Sequence, residues 1–187
     1  MLVFFCFILV GFYLYPRPVF GLPIAGSSAA INSSINDMEK ANQNKITKIY
    51  RIKRTIQMVL EKHQSPLANE SQTFVDVCLA YDLDCYLLPA ISGLESSFGL
   101  FIYPNSYNPF GWGGGYITFS SWSQAIEVVG YNLRKNYLDK GAKNIYEIGQ
   151  IYAESPTWAN RVINLINLFY REENNNRLYF AENKVEL

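Results

Sequence analysis

Ile91-Ser92-Gly93-Leu94-Glu95-Ser96-Ser97-Phe98-Gly99 is the stretch on which the reading of this chain turns. Ile91, Leu94 and Phe98 recur at steps of three and four residues and define one apolar face of a helix. Glu95 lies four residues beyond Ile91, at the border of that face. Gly99 stands where a C-terminal glycine commonly ends a helix, so Glu95 is expected near a helix end. A carboxyl partly withdrawn from water there would keep its proton near neutral pH, because desolvation disfavours the charged form. A lone border glutamate is most often an ordinary surface residue, and only its neighbours can argue otherwise.

Before this stretch, Phe74 to Tyr81 reads as a short apolar helix, and Asp82-Leu83-Asp84 as a turn with Asp84 placed to cap a helix over about 85–98. Pro89 falls inside that helix, which predicts a kink or a broken first turn. After it, residues 100–120 gather Gly111, Gly113, Gly114 and Gly115 among tyrosine, phenylalanine and tryptophan, so a loop or short hairpin is expected there. Ser121-Trp122-Ser123-Gln124 matches a capping box. It opens a helix to about Tyr137 with Trp122, Ala125, Ile126, Val129 and Leu133 as its buried stripe. Further helices are expected near 144–152 and 157–171. The reading is a mainly α-helical domain over residues 65–171, followed by a polar, partly disordered tail over 172–187.

The N-terminal third differs in kind. Met1 to Tyr15 carries no charge and is short for a membrane span, so residues 1–21 read as a signal peptide or an N-terminal membrane anchor. No Lys or Arg precedes the apolar run, and Pro16-Arg17-Pro18 interrupts the approach to a cleavage site. The chain is therefore expected to be exported to the cell envelope, either anchored or secreted. Residues 22–36, small, polar and unpatterned, read as a linker. Residues 37–64 form an amphipathic helix with Ile46, Ile49, Ile52, Ile56, Val59 and Leu60 on one side and a lysine- and arginine-rich remainder. That basic face is either an attractor for anionic envelope polymers or the solvated side of a helix packed elsewhere. Cys78 and Cys85, left over once Cys6 is assigned to the leader, suit a disulfide in an exported chain; two buried thiols are the alternative.

The 187 residues carry 16 Lys and Arg against 16 Asp and Glu. That zero balance argues against nucleic acid as a partner, since phosphate binding needs a basic excess. There is no phosphate-binding glycine loop, and one histidine with two cysteines does not make a zinc site. No cofactor or metal is implied. Aromatic residues make up 16% of the chain, enough to line a sugar-binding cleft but equally fit to fill a core.

Three ordered segments carry a family resemblance. Tyr81-Asp82-Leu83-Asp84, Leu87-Leu88-Pro89-Ala90-Ile91 and Glu95-Ser96-Ser97-Phe98-Gly99 resemble the catalytic helix of lysozyme-like peptidoglycan hydrolases. Asn108-Pro109-Phe110-Gly111 is similar to the "NLFG" segment of the bacterial glucosaminidase family, whose domain is of the mannosyl-glycoprotein endo-β-N-acetylglucosaminidase type. Tyr152-Ala153-Glu154-Ser155-Pro156-Thr157-Trp158-Ala159-Asn160-Arg161-Val162 resembles that family's "YATDPNYAEKV" stretch. The resemblance spans about 74–171 and implies a lysozyme-like fold acting on peptidoglycan glycan strands.

Carried over residue by residue, the resemblance makes Glu95 the general acid and places Tyr152 in the cleft near the cleavage point. Asn108, Phe110 and Gly111 would shape the floor or wall of the substrate groove. Pro109 replaces the family leucine, and Glu154-Ser155 replaces Thr-Asp, which moves a carboxylate by one position. Trp112 and Tyr116 are added on chemical grounds, because aromatics in a glycine-rich loop can stack on sugar rings; packing is their equal alternative. Trp122 and Trp158 read as core, and Ser96 as a local hydrogen-bonding residue.

Glycoside hydrolysis commonly uses two carboxylates, yet no Asp or Glu lies between Ser96 and Ile126. Either Glu127 or Glu154 folds back, or the substrate's own N-acetyl group attacks the anomeric carbon. The favoured expectation is an endo-β-N-acetylglucosaminidase working by the second route. Its alternatives are a muramidase or lytic transglycosylase, a catalytically inactive wall-binding module, and a structural envelope protein acting through its basic helix.

Overall fold

The computed structural model describes residues 25–153 and 155–182, with side chains described over 32–153 and 155–176. The leader expected over 1–21, Glu154 and residues 183–187 lie outside the described residues. The chain divides into two compact units, Met1–Ala41 and Asn42–Leu187. Within the described part of the first there is only helix. Among the described residues there are six α-helices: α1 (Ala25–Lys62), α2 (Ser71–Tyr81), α3 (Leu87–Ser96), α4 (Trp122–Asn132), α5 (Ile145–Tyr152) and α6 (Trp158–Glu182). A 3-10 turn (Ala68–Glu70) precedes α2, and a π-helical turn (Leu133–Leu138) extends α4. Among the described residues there is no strand, so the mainly helical class stands and the hairpin considered for 100–120 does not form.

Both ends of the helical region run further than their sequence pattern. Residues 25–36, read as unpatterned linker, are helical and continue without a break into the amphipathic stretch. The asparagine-rich segment from Glu172, read as a partly disordered tail, is the last part of α6 as far as Glu182. Two contacts account for order at its start: Glu172 pairs with Lys62 at 3.2 Å, and Glu173 with Arg51 at 3.6 Å. Polarity there reflects partners on α1 rather than solvent.

Within the second unit, α1 buries Ile56, Val59 and Leu60, half-buries Ile49 and Ile52, and leaves Ile46 exposed. The hydrophobic core therefore begins before Ser65-Pro66, the boundary suggested by the sequence. Helix α3 packs on α6, α5 on α6, and α2 on α4. The last pair approaches closely because α4 carries Gly130: a Cβ there would collide with the Val77 side chain. Phe74, Leu88, Ile91, Ile126, Leu133 and Phe169 are wholly buried at the centre. Each such side chain contributes about 1.5–3 kcal/mol.

Local signals explain the helix ends. Ser121 Oγ accepts from Gln124 N–H at 3.1 Å, the expected cap of α4, and Asn144 caps α5 in the same way. Asp84 Oδ1 accepts from Tyr86 N–H at 2.8 Å, so the chain turns there and α3 starts at Leu87 rather than Cys85. Pro89 then sits in the first turn, where its missing N–H has no intrahelical partner to lose, and no kink is needed. Cys78 and Cys85 are joined by a disulfide across this corner, with Cα atoms 4.9 Å apart.

Candidate active site

Helix α3 ends two residues earlier than its glycine suggests. Ser97 closes it in the left-handed region at φ 50°, and Phe98 and Gly99 follow at φ 62° and 84°. A bulky residue such as Phe98 rarely adopts that conformation, so neighbouring contacts must hold it. They are present: the buried Phe98 ring sits in the core, and its carbonyl accepts from Ser65 Oγ at 2.6 Å. Ser96 Oγ reaches the carbonyls of Ser92 (3.0 Å) and Pro109 (2.7 Å) and accepts from Gly99 N–H (2.8 Å). Ser96 is thus a latch between the end of α3 and the glycine-rich loop. Only the carbonyl of Pro109 enters it, so proline in place of leucine leaves the latch intact.

The loop is ordered by one buried amide. Asn108 Nδ2 donates to the carbonyls of Trp112 (2.9 Å) and Ile117 (3.0 Å), while its Oδ1 accepts from Trp112 N–H (3.0 Å). Phe119 N–H closes the loop base on the Ser106 carbonyl at 2.8 Å. Asn108 lines the cleft with its hydrogen bonds already committed, and Phe110 is buried in the core rather than exposed on a groove wall. Gly111 does reach the site. At φ 62°, its missing Cβ would stand 3.3 Å from Glu95 Oε2. A side chain at this position would therefore be strained and would press on the carboxylate.

Glu95 projects into a cleft of about 650 Å³, walled by Phe101, Tyr103, Asn108 and Gly111 and by Gly114 and Gly115 of the loop. Its Oε1 accepts the indole N–H of Trp158 at 2.7 Å. The Glu95 side chain is exposed to water, which corrects the expectation of a partly desolvated carboxyl: α3 stops at Ser96, one residue later, and leaves the group at an open edge. Among the described residues lining the cleft, Glu95 alone carries a carboxylate; Glu154 lies outside the described residues. Glu127 is exposed on α4 and does not line it.

Aromatic rings back the acid. Tyr152 stacks on Trp158 with centroids 4.8 Å apart, and Trp112 and Tyr137 lie 5.8 and 6.3 Å from Tyr152. The Tyr152 hydroxyl donates to the Phe110 carbonyl at 2.8 Å. Burial, then the negative charge of Glu95, then Tyr137 hold this phenol well above its ordinary range. It therefore keeps its proton and ties α5 to the loop. A smaller cavity of about 200 Å³ lies beside it, bounded by Gly111, Trp112, Gly113, Gly114, Tyr137 and Tyr152. At the opposite rim, Tyr116 is 77% exposed and stacks on Tyr103 at 5.2 Å.

Glu95, Gly111, Trp112 and Tyr152 are thus brought together, Asn108 and Phe110 support them from within, and Tyr116 stands apart on the rim. Trp158 reads as core from its helix stripe. It is buried, but its N–H meets Glu95; its position six residues after Tyr152, inside the resembling segment, was the available signal. Tyr103 carried no signal in sequence. No family model matches the chain, and comparison with curated proteins finds no significant match.

Proposed function

We propose that this chain is a peptidoglycan hydrolase of lysozyme-like fold that cleaves glycan strands as an endo-β-N-acetylglucosaminidase. The observation that carries the reading is Glu95: a carboxylate at the edge of a 650 Å³ cleft with one oxygen held by Trp158 and the other facing Gly111. Glu95 protonates the leaving glycosidic oxygen. The substrate N-acetyl oxygen attacks the anomeric carbon, in keeping with a cleft in which Glu95 is the one carboxylate among the described lining residues, and water later opens the resulting ring as Glu95 takes its proton. The apolar run Met1–Tyr15 supports export and retention at the envelope, the compartment where this substrate lies.

The test is release of soluble fragments from purified peptidoglycan by the full chain and by Glu95→Gln. A fall of at least about a hundredfold is expected, the range for loss of an acid–base group. New N-acetylglucosamine reducing ends would support the glucosaminidase; anhydro-muramic ends would make the chain a lytic transglycosylase. If both proteins bind the wall and neither cuts it, the domain is a binding module.

A further inference from the structure

We infer that Trp158 is a positioning residue that fixes Glu95 through Oε1 and so assigns the catalytic proton to Oε2; this rests on the hydrolase reading above. An indole offers one N–H and no acceptor, so an oxygen engaged by it cannot also hold a proton along that direction. Trp158 Nε1 lies 2.7 Å from Oε1. The indole is itself immobilised: it is 3% exposed, stacked on Tyr152 on one side and packed against Gly149 on another, where a Cβ would stand 3.0 Å from its ring. Trp158 is the first residue of α6, and its backbone N–H donates to the Ser155 carbonyl at 3.1 Å. The donor therefore belongs to the frame of the fold and not to a wandering side chain.

Oε2 faces the space that Gly111 leaves free. In the first step the Oε2–H bond breaks and the proton passes to the glycosidic oxygen; the bond from that oxygen to the anomeric carbon breaks with its electron pair going to the leaving sugar, as the substrate N-acetyl oxygen bonds to the anomeric carbon and closes a positively charged ring. The carboxylate left behind is stabilised by the Trp158 N–H on Oε1. In the second step Oε2 takes a proton from water as the water oxygen bonds to the anomeric carbon, and the bond from that carbon to the acetyl oxygen breaks with its electron pair returning to the acetyl group. Among the described residues the Tyr152 phenol on α5 feels the charge of this carboxylate, Tyr137 of the π-helical turn lies against Tyr152, and Tyr103 lines the same cleft. Tyr152 has its proton committed to Phe110, so it does not compete as the donor.

The experiment uses the full chain and soluble peptidoglycan glycan strands. Trp158→Phe keeps a ring on Tyr152 and removes the N–H. Its kcat should fall at least about tenfold with KM changed less than about twofold, the signature of lost orientation and not lost binding. Native kcat in folded Trp158→Phe, beside an inactive Glu95→Gln, overturns the assignment and leaves the hydrolase reading standing. Full activity in Glu95→Gln overturns both. A second readout does not depend on the variant folding: the three tryptophan indole N–H signals are followed by NMR against pH in the native chain and in Glu95→Gln. One signal should move with pH in the former and not in the latter. If no indole signal responds to the loss of Glu95, the contact does not govern the acid and the inference fails.

Discussion

Two corners of the second unit each combine carboxylates with tyrosines, and they use them in opposite ways. Beneath the disulfide, Tyr86 donates to Glu173 Oε2 at 2.9 Å, Arg51 pairs with Glu173 Oε1, and Tyr170 donates to Asp84 Oδ2 at 2.7 Å while Asp84 Oδ1 holds Tyr86 N–H. Both oxygens of both acids are occupied. At the other corner Glu95 has one oxygen held by a neutral indole and the second facing open space, and the nearest phenol donates elsewhere. A carboxylate engaged on both sides stitches helices together. One engaged on a single side is oriented yet free to exchange a proton.

The largest effect that would sharpen this contrast is on catalysis: the hundredfold loss expected in Glu95→Gln should come with little change in stability, since an exposed side chain is replaced by its neutral isostere. At the other corner the order reverses. Replacing Cys78 and Cys85 together by serine removes a cross-link over seven residues of separation. Loop-closure entropy puts its worth at about 2.5 kcal/mol, read by denaturant unfolding, with fragment release unchanged while the domain is folded. Loss of activity in the folded double variant would show that the start of α3 communicates with its end and would break the division.

Tyr86→Phe should cost a comparable amount, about 1.5–3 kcal/mol, for one hydrogen bond to a charged group. It also carries a pH signature. Burial first, then the charge of Glu173 and the hydrogen bond to it, push the Tyr86 phenol far above its ordinary value of 10.0. Burial and Asp84 raise Tyr170 likewise. A phenol raised in the folded state contributes stability that is complete below about pH 10 and declines as the unfolded chain ionises above it. Chemical-denaturation curves should therefore be flat in this contribution through neutral pH and fall beyond pH 10. The fall should be shallower in Tyr86→Phe, with the remaining slope carried by Tyr170 and Tyr152. An equal alkaline slope in both proteins would mean that Tyr86 is not held in this way.

How much of each corner could be read in sequence follows from the same physics. Helical periodicity gave the elements from α2 to α5 and the Ser121 cap, because apolar spacing and short-range hydrogen bonds are local. It located Glu95 near a helix end for the same reason. What it missed depends on distant partners. The ordered Glu172 and Glu173 look like solvent-facing tail until Lys62 and Arg51 are brought beside them. Glu95 was expected to be desolvated, but helix termination at Ser97 rather than Gly99 decides its exposure, and that turn is held by Ser65 and Pro109. Trp158 occupies a core stripe and also donates to Glu95; stripe position describes where a ring packs and not what its edge meets.

The smallest effect concerns the rim, where Tyr116 was singled out by exposure and ring chemistry alone. Tyr116→Ala removes the partner of Tyr103, and aromatic pairs of this kind contribute about 0.5–1.5 kcal/mol. Since Tyr116 is 77% exposed and outside the core, the thermal midpoint should fall by no more than about 5 °C. If the stacked pair forms a platform for a sugar at a distance from the bond being cut, KM for glycan strands should rise less than about tenfold at constant kcat, because binding equally shared by ground and transition states is lost. A fall in kcat would instead tie the rim to Glu95 through Gly115, where an added Cβ would stand 3.1 Å from the Tyr103 ring. The rim would then belong to the orienting machinery, and the open side of Glu95 would be shaped by the loop as much as by Trp158.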